Sequence, residues 1–138
     1  MMESMKGLIR DIVVQHYPAI QGIYLFGSHG IGIPWPDSDI DIALLLPHEQ
    51  AKKEKNLILS KCRFDLEDAF HHAVDLLNAR QVSTVFQKEI ISGTLIYFAD
   101  QYAVDEFEML TISYYQKLNQ ERAELLESFQ KTGRAYAV

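Results

Sequence analysis

Two aspartates one residue apart, Asp39 and Asp41, stand at the head of an unbroken apolar run formed by Ile42, Ala43, Leu44, Leu45 and Leu46. A short run of this kind, closed by Pro47, reads as a buried strand. The period of two places Asp39 and Asp41 on one face of it, about 6.6 Å apart along the chain. Carboxylates that close, leading into so apolar a strand, repel one another and are poorly solvated, so the fold has to give them a partner. A divalent cation is the natural one, because Mg²⁺ takes hard oxygen ligands and is often held by one or two carboxylates together with substrate phosphates. Two ions about 3.5–4 Å apart could share the pair and clamp the attacking and leaving oxygens of an in-line displacement.

Asp75 repeats the pattern, a carboxylate inside the apolar stretch Ala73, Val74, Leu76, Leu77. If that strand neighbours the first, Asp75 completes a three-carboxylate site as a metal ligand and a proton acceptor for the attacking hydroxyl. Upstream, Gly27 and Ser28 follow the apolar residues Ile23, Tyr24, Leu25 and Phe26 directly. A glycine lets the backbone approach a phosphate, and Ser28 can donate from its hydroxyl and its N–H, although the pattern is neither a Walker A loop nor a dinucleotide fingerprint. Taken singly, each feature has a plainer reading: Gly27-Ser28 as a turn, Asp37-Ser38-Asp39 as a capped turn, Asp75 as a cap or the partner of an arginine. The set together points to chemistry. By contrast, His71-His72 lacks the companions of a zinc site, and Glu121, Arg122, Glu124 and Glu127 read as a solvated helix face.

The rest of the chain supplies strands alternating with helices. Residues 2–16 place Met5, Leu8, Ile12 and His16 at helical spacing ahead of Pro18. Residues 20–26 and 40–46 read as buried strands, with a Gly- and Pro-rich loop over 28–38 between them. Leu59, Cys62, Leu66, Ala69 and Phe70 suggest one helical face within 49–70, followed by a strand at 73–77, a helix at 81–91 stopped by Gly93, and a strand at 94–98. From 100 to about 129, Val104, Phe107, Leu110, Tyr114, Leu118, Leu125 and Phe129 recur at helical intervals. The expected fold is α/β (α+β): a single mixed sheet of about four strands with flanking helices and a long C-terminal helix. A chain of 138 residues fits one domain, with its core over about 20–110 and the C-terminal helix over about 100–130.

Charge and cysteine usage narrow the partners. A net charge of −6 argues against direct nucleic-acid binding, so a triphosphate has to be met locally by metal ions or backbone N–H groups. The lone Cys62 suits a reducing cytoplasm. The N-terminus, with Glu3, Lys6, Arg10 and Asp11 scattered through it, lacks the apolar run of a signal peptide, and residues 42–47 are far too few to span a bilayer.

Gly27-Ser28, the ten positions 29–38, then Asp39-Ile40-Asp41 resembles the signature of the DNA polymerase beta-like nucleotidyltransferases. With the later Val74-Asp75-Leu76 and the short length, the chain is most similar to the minimal nucleotidyltransferase (MNT) antitoxins of HEPN–MNT toxin–antitoxin pairs. The resemblance covers residues 20–110. It implies a cytoplasmic protein that uses ATP with Mg²⁺, two ions being expected, and transfers AMP to a tyrosine of a partner HEPN ribonuclease toxin. It also implies Asp39, Asp41 and Asp75 as metal-binding and catalytic residues, and Gly27 and Ser28 as the nucleotide-binding pair. Many relatives have Arg directly after the Gly-Ser, where this chain has His29. So small a core leaves little surface for a second substrate, which favours a partner protein as acceptor, with Ile31, Ile33 and Trp35 available to touch it. Two rival readings are a transferase acting on a small-molecule acceptor and a binding-only antitoxin with a vestigial site.

Overall fold

The computed structural model describes residues 2–27, 39–54 and 56–132. In chain order these form α1 (Met2–His16), β1 (Gly22–Phe26), β2 (Ile40–Leu45), α2 (His48–Lys53), a 3₁₀ turn (Leu57–Leu59), α3 (Lys61–Phe70), β3 (Val74–Asn78), α4 (Thr84–Ile91), β4 (Thr94–Phe98) and α5 (Gln101–Thr132). The four strands make one mixed sheet in the order β3-β2-β1-β4. β1 runs antiparallel to both β2 and β4, and β3 lies parallel to β2. A parallel neighbour needs a crossover, and α2, the 3₁₀ turn and α3 provide it. The expected α/β architecture, with its four-stranded mixed sheet and long final helix, is therefore the one adopted.

Helices cover both faces, which explains why β1 is buried at every position where a one-sided sheet would alternate. Ile23 and Leu25 of β1 join Ile42 and Leu44 of β2 and Leu76 of β3 in a core against Ile9 and Val13 of α1 and Leu66 of α3. The intervening residues Tyr24, Phe26, Ala43 and Leu45 face the other way, toward Ile90 of α4 and Val104 and Phe107 of α5. Each large aliphatic side chain buried in this way contributes about 1.5–3 kcal/mol. The β1–β4 register slips between Ile23 and Tyr24, which pair with Tyr97 and Leu95. The extra residue of this bulge lets Ile96 and Tyr97 both pack on the first core.

The segment 49–70 departs from the expected single helical face. Ser60 closes the 3₁₀ turn and caps α3, its Oγ accepting from the Arg63 N–H at 3.2 Å, so Cys62 and Leu66 turn inward while Leu59 stays 69% exposed. His16 ends α1 in a polar contact with Asp65 of α3, at 2.6 Å. At the other end of the chain, α5 is buried at Val104, Phe107 and Thr111, then runs on past the sheet with Leu125 and Phe129 exposed. Among the described residues no helix is long and apolar enough to cross a membrane.

Candidate active site

The site forms where the C-terminal end of β1 meets the N-terminal ends of β2 and β3. Phe26, Asp41 and Asp75 stand in one row across the three strands, Phe26 paired with Asp41 and Asp41 with Asp75. Adjacent strands lie about 4.8 Å apart, and in-register residues share a face, so the two carboxylates are neighbours on the side covered by α4 and α5. Like charges directly opposite one another in a sheet are destabilising on their own. Asp39 precedes β2 by one residue and is exposed, whereas Asp41 and Asp75 are half-buried. The strand of Asp75 thus neighbours that of Asp41 and brings these two carboxylates side by side, while Asp39 stands one residue outside the strand.

Gly27 is the second component. Its φ of 67° lies in the left-handed region, and a Cβ built there would overlap Oδ2 of Asp41. Only glycine satisfies both constraints, so the backbone at position 27 rests directly against the carboxylate. Ser28 and the loop over 28–38, with His29, Ile31, Ile33 and Trp35, lie outside the described residues.

A cleft of about 370 Å³ opens at this junction, lined by Phe26, Gly27, Asp41, Val85, Phe86 and Glu89. That volume falls within the range of small-molecule and cofactor sites. Helix α4 forms its far wall. Ser83 caps that helix by accepting from the Phe86 N–H at 3.3 Å, and Phe86 meets Phe26 edge-on with ring centroids 5.9 Å apart. Gly93 lets α4 return close to β1, since a Cβ there would sit 2.5 Å from the Leu25 carbonyl oxygen and 2.8 Å from Phe26 Cα.

Asp75 is held by a clamp on the residue before it. The Val74 N–H donates to Glu67 Oε2 at 2.9 Å, and the Val74 carbonyl accepts from Arg63 Nε at 3.0 Å. Arg63 Nη2 and Glu67 Oε2 pair at 3.0 Å, which fixes both side chains on α3. At Val74 the outer edge of β3 is thereby satisfied by side chains, which blunts that end of it against further strand pairing.

Among the described residues no three His, Cys, Asp or Glu side chains already converge on one metal position. Hard carboxylate oxygens beside a cleft, with a glycine backbone pressed against one of them, fit a Mg²⁺ site of the kind that substrate phosphates complete. Sequence reasoning missed Phe86, Glu89, Arg63 and Glu67. The i,i+4 spacing of Arg63 and Glu67 was a visible signal of a pair, but nothing in it named the Val74 backbone as the target. The face that α4 turns to the cleft follows from Gly93, whose close approach to β1 no local pattern announces.

The fold is that of a polymerase beta-like nucleotidyltransferase. The model of the polymerase beta nucleotidyltransferase family matches residues 9–102, and the chain belongs to that family. It is 33% identical over 120 residues to the protein adenylyltransferase MntA of Shewanella oneidensis strain MR-1, covering 87% of this chain and 81% of that relative. Among solved structures it is similar to a chain of a toxin–antitoxin complex with AMP-PNP, at 28% identity and a TM-score of 0.69, over 91% of this chain and 98% of that one. It is also similar to a chain of the complex of tri-AMPylated Shewanella oneidensis HEPN toxin with MNT antitoxin, at 27% identity and a TM-score of 0.66, over 94% and 99% of the two chains.

Proposed function

We propose that this protein is a Mg²⁺-dependent adenylyltransferase antitoxin that transfers AMP from ATP to a tyrosine of a partner HEPN ribonuclease toxin and so neutralises it in the cytoplasm. The observation that carries the reading is the pairing of Asp41 with Asp75 across β2 and β3, with the Gly27 backbone against Asp41 at the mouth of a cleft. The relatives that are named an adenylyltransferase, or occur with an AMPylated HEPN toxin, support the same chemistry. Asp39, Asp41 and Asp75 would hold the two Mg²⁺ ions, whose chemistry there would be to offset the negative charge of the triphosphate. Gly27 and Ser28 hold the phosphates, and the 1–138 chain works as one domain.

In the reaction, the tyrosine oxygen attacks the α-phosphorus of ATP. A new O–P bond forms as the bond from the α-phosphorus to the bridging oxygen breaks, and pyrophosphate leaves. The phenolic proton passes to Asp75, which suits an acceptor whose ordinary pKa is near 10 and which needs a nearby base to react at neutral pH. The product places a phosphodiester and an adenosine on the toxin, adding charge and bulk where RNA phosphates must approach.

The outer half of α5 supports a protein as the acceptor. At 32 residues the helix is about 48 Å long, well beyond the width of a four-stranded sheet. Its distal turns keep Leu125, Leu126 and Phe129 exposed, an apolar face of the kind that marks protein contact. Transfer of label from α-³²P-ATP to the co-purified toxin tests the assignment. Label should appear with Mg²⁺, vanish with chelator, and fall by orders of magnitude in Asp41→Asn. Undiminished labelling in chelator or in that variant would contradict it.

A further inference from the structure

A second cavity, of about 210 Å³, lies at the opposite end of the sheet, between α2, the turn from β3 to α4, and α5. Asp41, near the start of β2, and Leu46, just past its end, are about 17 Å apart, so this cavity is separate from the cleft at Gly27. The chain carries a net charge of −6, yet among the described residues the cavity is lined by His48, Lys52 and Arg80 and by no carboxylate. Two acids outside its lining interact with these cations: Glu49 lies 3.6 Å from Lys52 Nζ, and Glu106 interacts electrostatically with Arg80. Both Lys52 and Glu49 are largely exposed, so that pair is weak and readily exchanged for another anion.

Two features show that the cavity is built. Arg80 is pinned by donating from Nε to the Leu46 carbonyl and from Nη2 to Gln21 Oε1, both at 2.6 Å, and its guanidinium lies 6.0 Å from the centre of the Phe107 ring. Nη1 enters no hydrogen bond among the described residues, so a held cation keeps donors for a ligand. Thr111 of α5 lines the same cavity and is 2% exposed, and no hydrogen bond among the described residues engages its hydroxyl. A buried hydroxyl without a partner is uncommon and calls for one.

We propose that this cavity binds a small phosphate-bearing molecule. Its donors come from three elements: His48 and Lys52 from α2, Arg80 from the turn after β3, Thr111 from α5. Donors converging from several directions suit a tetrahedral oxyanion better than a planar carboxylate, whose two oxygens share one plane. The volume is below the range usual for drug-sized ligands, so the occupant is of the size of a phosphate or diphosphate group with little attached. This site does not depend on the chemistry assigned to the Gly27 cleft.

Titration of the purified full chain with inorganic phosphate, followed by amide NMR in chelator without divalent cation, tests it. Saturable shifts should centre on Ala51, Gln81 and Thr111, persist in Asp41→Asn, and exceed those caused by acetate. Lys52→Gln and Thr111→Val should each weaken binding about tenfold, the worth of one charge-assisted hydrogen bond. Thr111→Val should leave the thermal midpoint unchanged or higher, because the hydroxyl it removes has no partner in the free protein. Shifts confined to Gly27 and Asp41, no saturation, or wild-type affinity in both variants would overturn the proposal. So would saturation of the same residues by a short RNA lacking terminal phosphates when inorganic phosphate fails to bind.

Discussion

At the scale of single residues, the strongest constraint sits at Gly27, where a left-handed backbone and the Asp41 carboxylate leave no room for a side chain. Gly27→Ala should cost about 1–2 kcal/mol for the backbone alone. Its larger effect should be on the site, with transfer reduced by orders of magnitude while circular dichroism stays native. Near-normal turnover would show that Asp41 need not sit against that backbone. Cys62 gives a prediction of a different kind. Burial, aided by Asp65, pushes its thiol from 9.0 up to about 12. A raised thiol pKa means the folded form holds its proton where the unfolded chain has lost it. The contribution to stability is therefore complete below pH 9 and is lost as pH rises from 9 through 12. Denaturant midpoints should decline over that window in the wild type and less so in Cys62→Ala, and the native thiol should resist thiol reagents until the chain unfolds. Asp39, Asp41 and Asp75 could be picked out by eye because a carboxylate in an apolar run is costly unless something meets it. Phe86 and Glu89 could not, because on a short helix their types are ordinary and only the packing of α4 against β1 brings them to the cleft.

At the scale of elements, α3 does more than cover the sheet, since Arg63 and Glu67 grip both backbone groups of Val74 beside Asp75. Glu67→Gln weakens an acceptor of charged character and should destabilise by about 1–3 kcal/mol. If the clamp also places Asp75, kcat should fall several-fold with little change in KM for ATP; an unchanged kcat would make the clamp purely structural. β1 and β2 were legible because burial on both faces turns them into apolar runs, and the less buried β4 still begins and ends where its composition suggested. The stretch 49–70 was not, because a Ser at position 60 can sit within a helix or cap one, and here it caps. The long period through Leu125 and Phe129 correctly gave a helix but not what that face meets, since those side chains are 57% and 44% exposed. Leu125→Glu with Phe129→Glu should leave the melting temperature of the isolated chain nearly unchanged. The same pair should weaken toxin binding about thirtyfold or more if they are central contacts. Equal affinity would move the interface to another surface.

At the scale of the whole molecule, one sheet serves two ends. The end where β1 stops and β2 and β3 begin gathers carboxylates and a glycine backbone. The other gathers cationic and neutral donors around Thr111. On the proposed reading, the first of these ends holds the nucleotide and metal ions, and the acceptor is left to the partner. That division makes the central claim directly measurable. The toxin, co-expressed with this chain and then separated from it under denaturing conditions and refolded, should show intact-mass increments of whole AMP units and no ribonuclease activity. The same toxin co-expressed with Asp41→Asn should have its unmodified mass and cleave RNA once freed. A toxin that is unmodified after co-expression with the wild-type chain, yet regains ribonuclease activity on release, would contradict covalent transfer and leave neutralisation to binding alone.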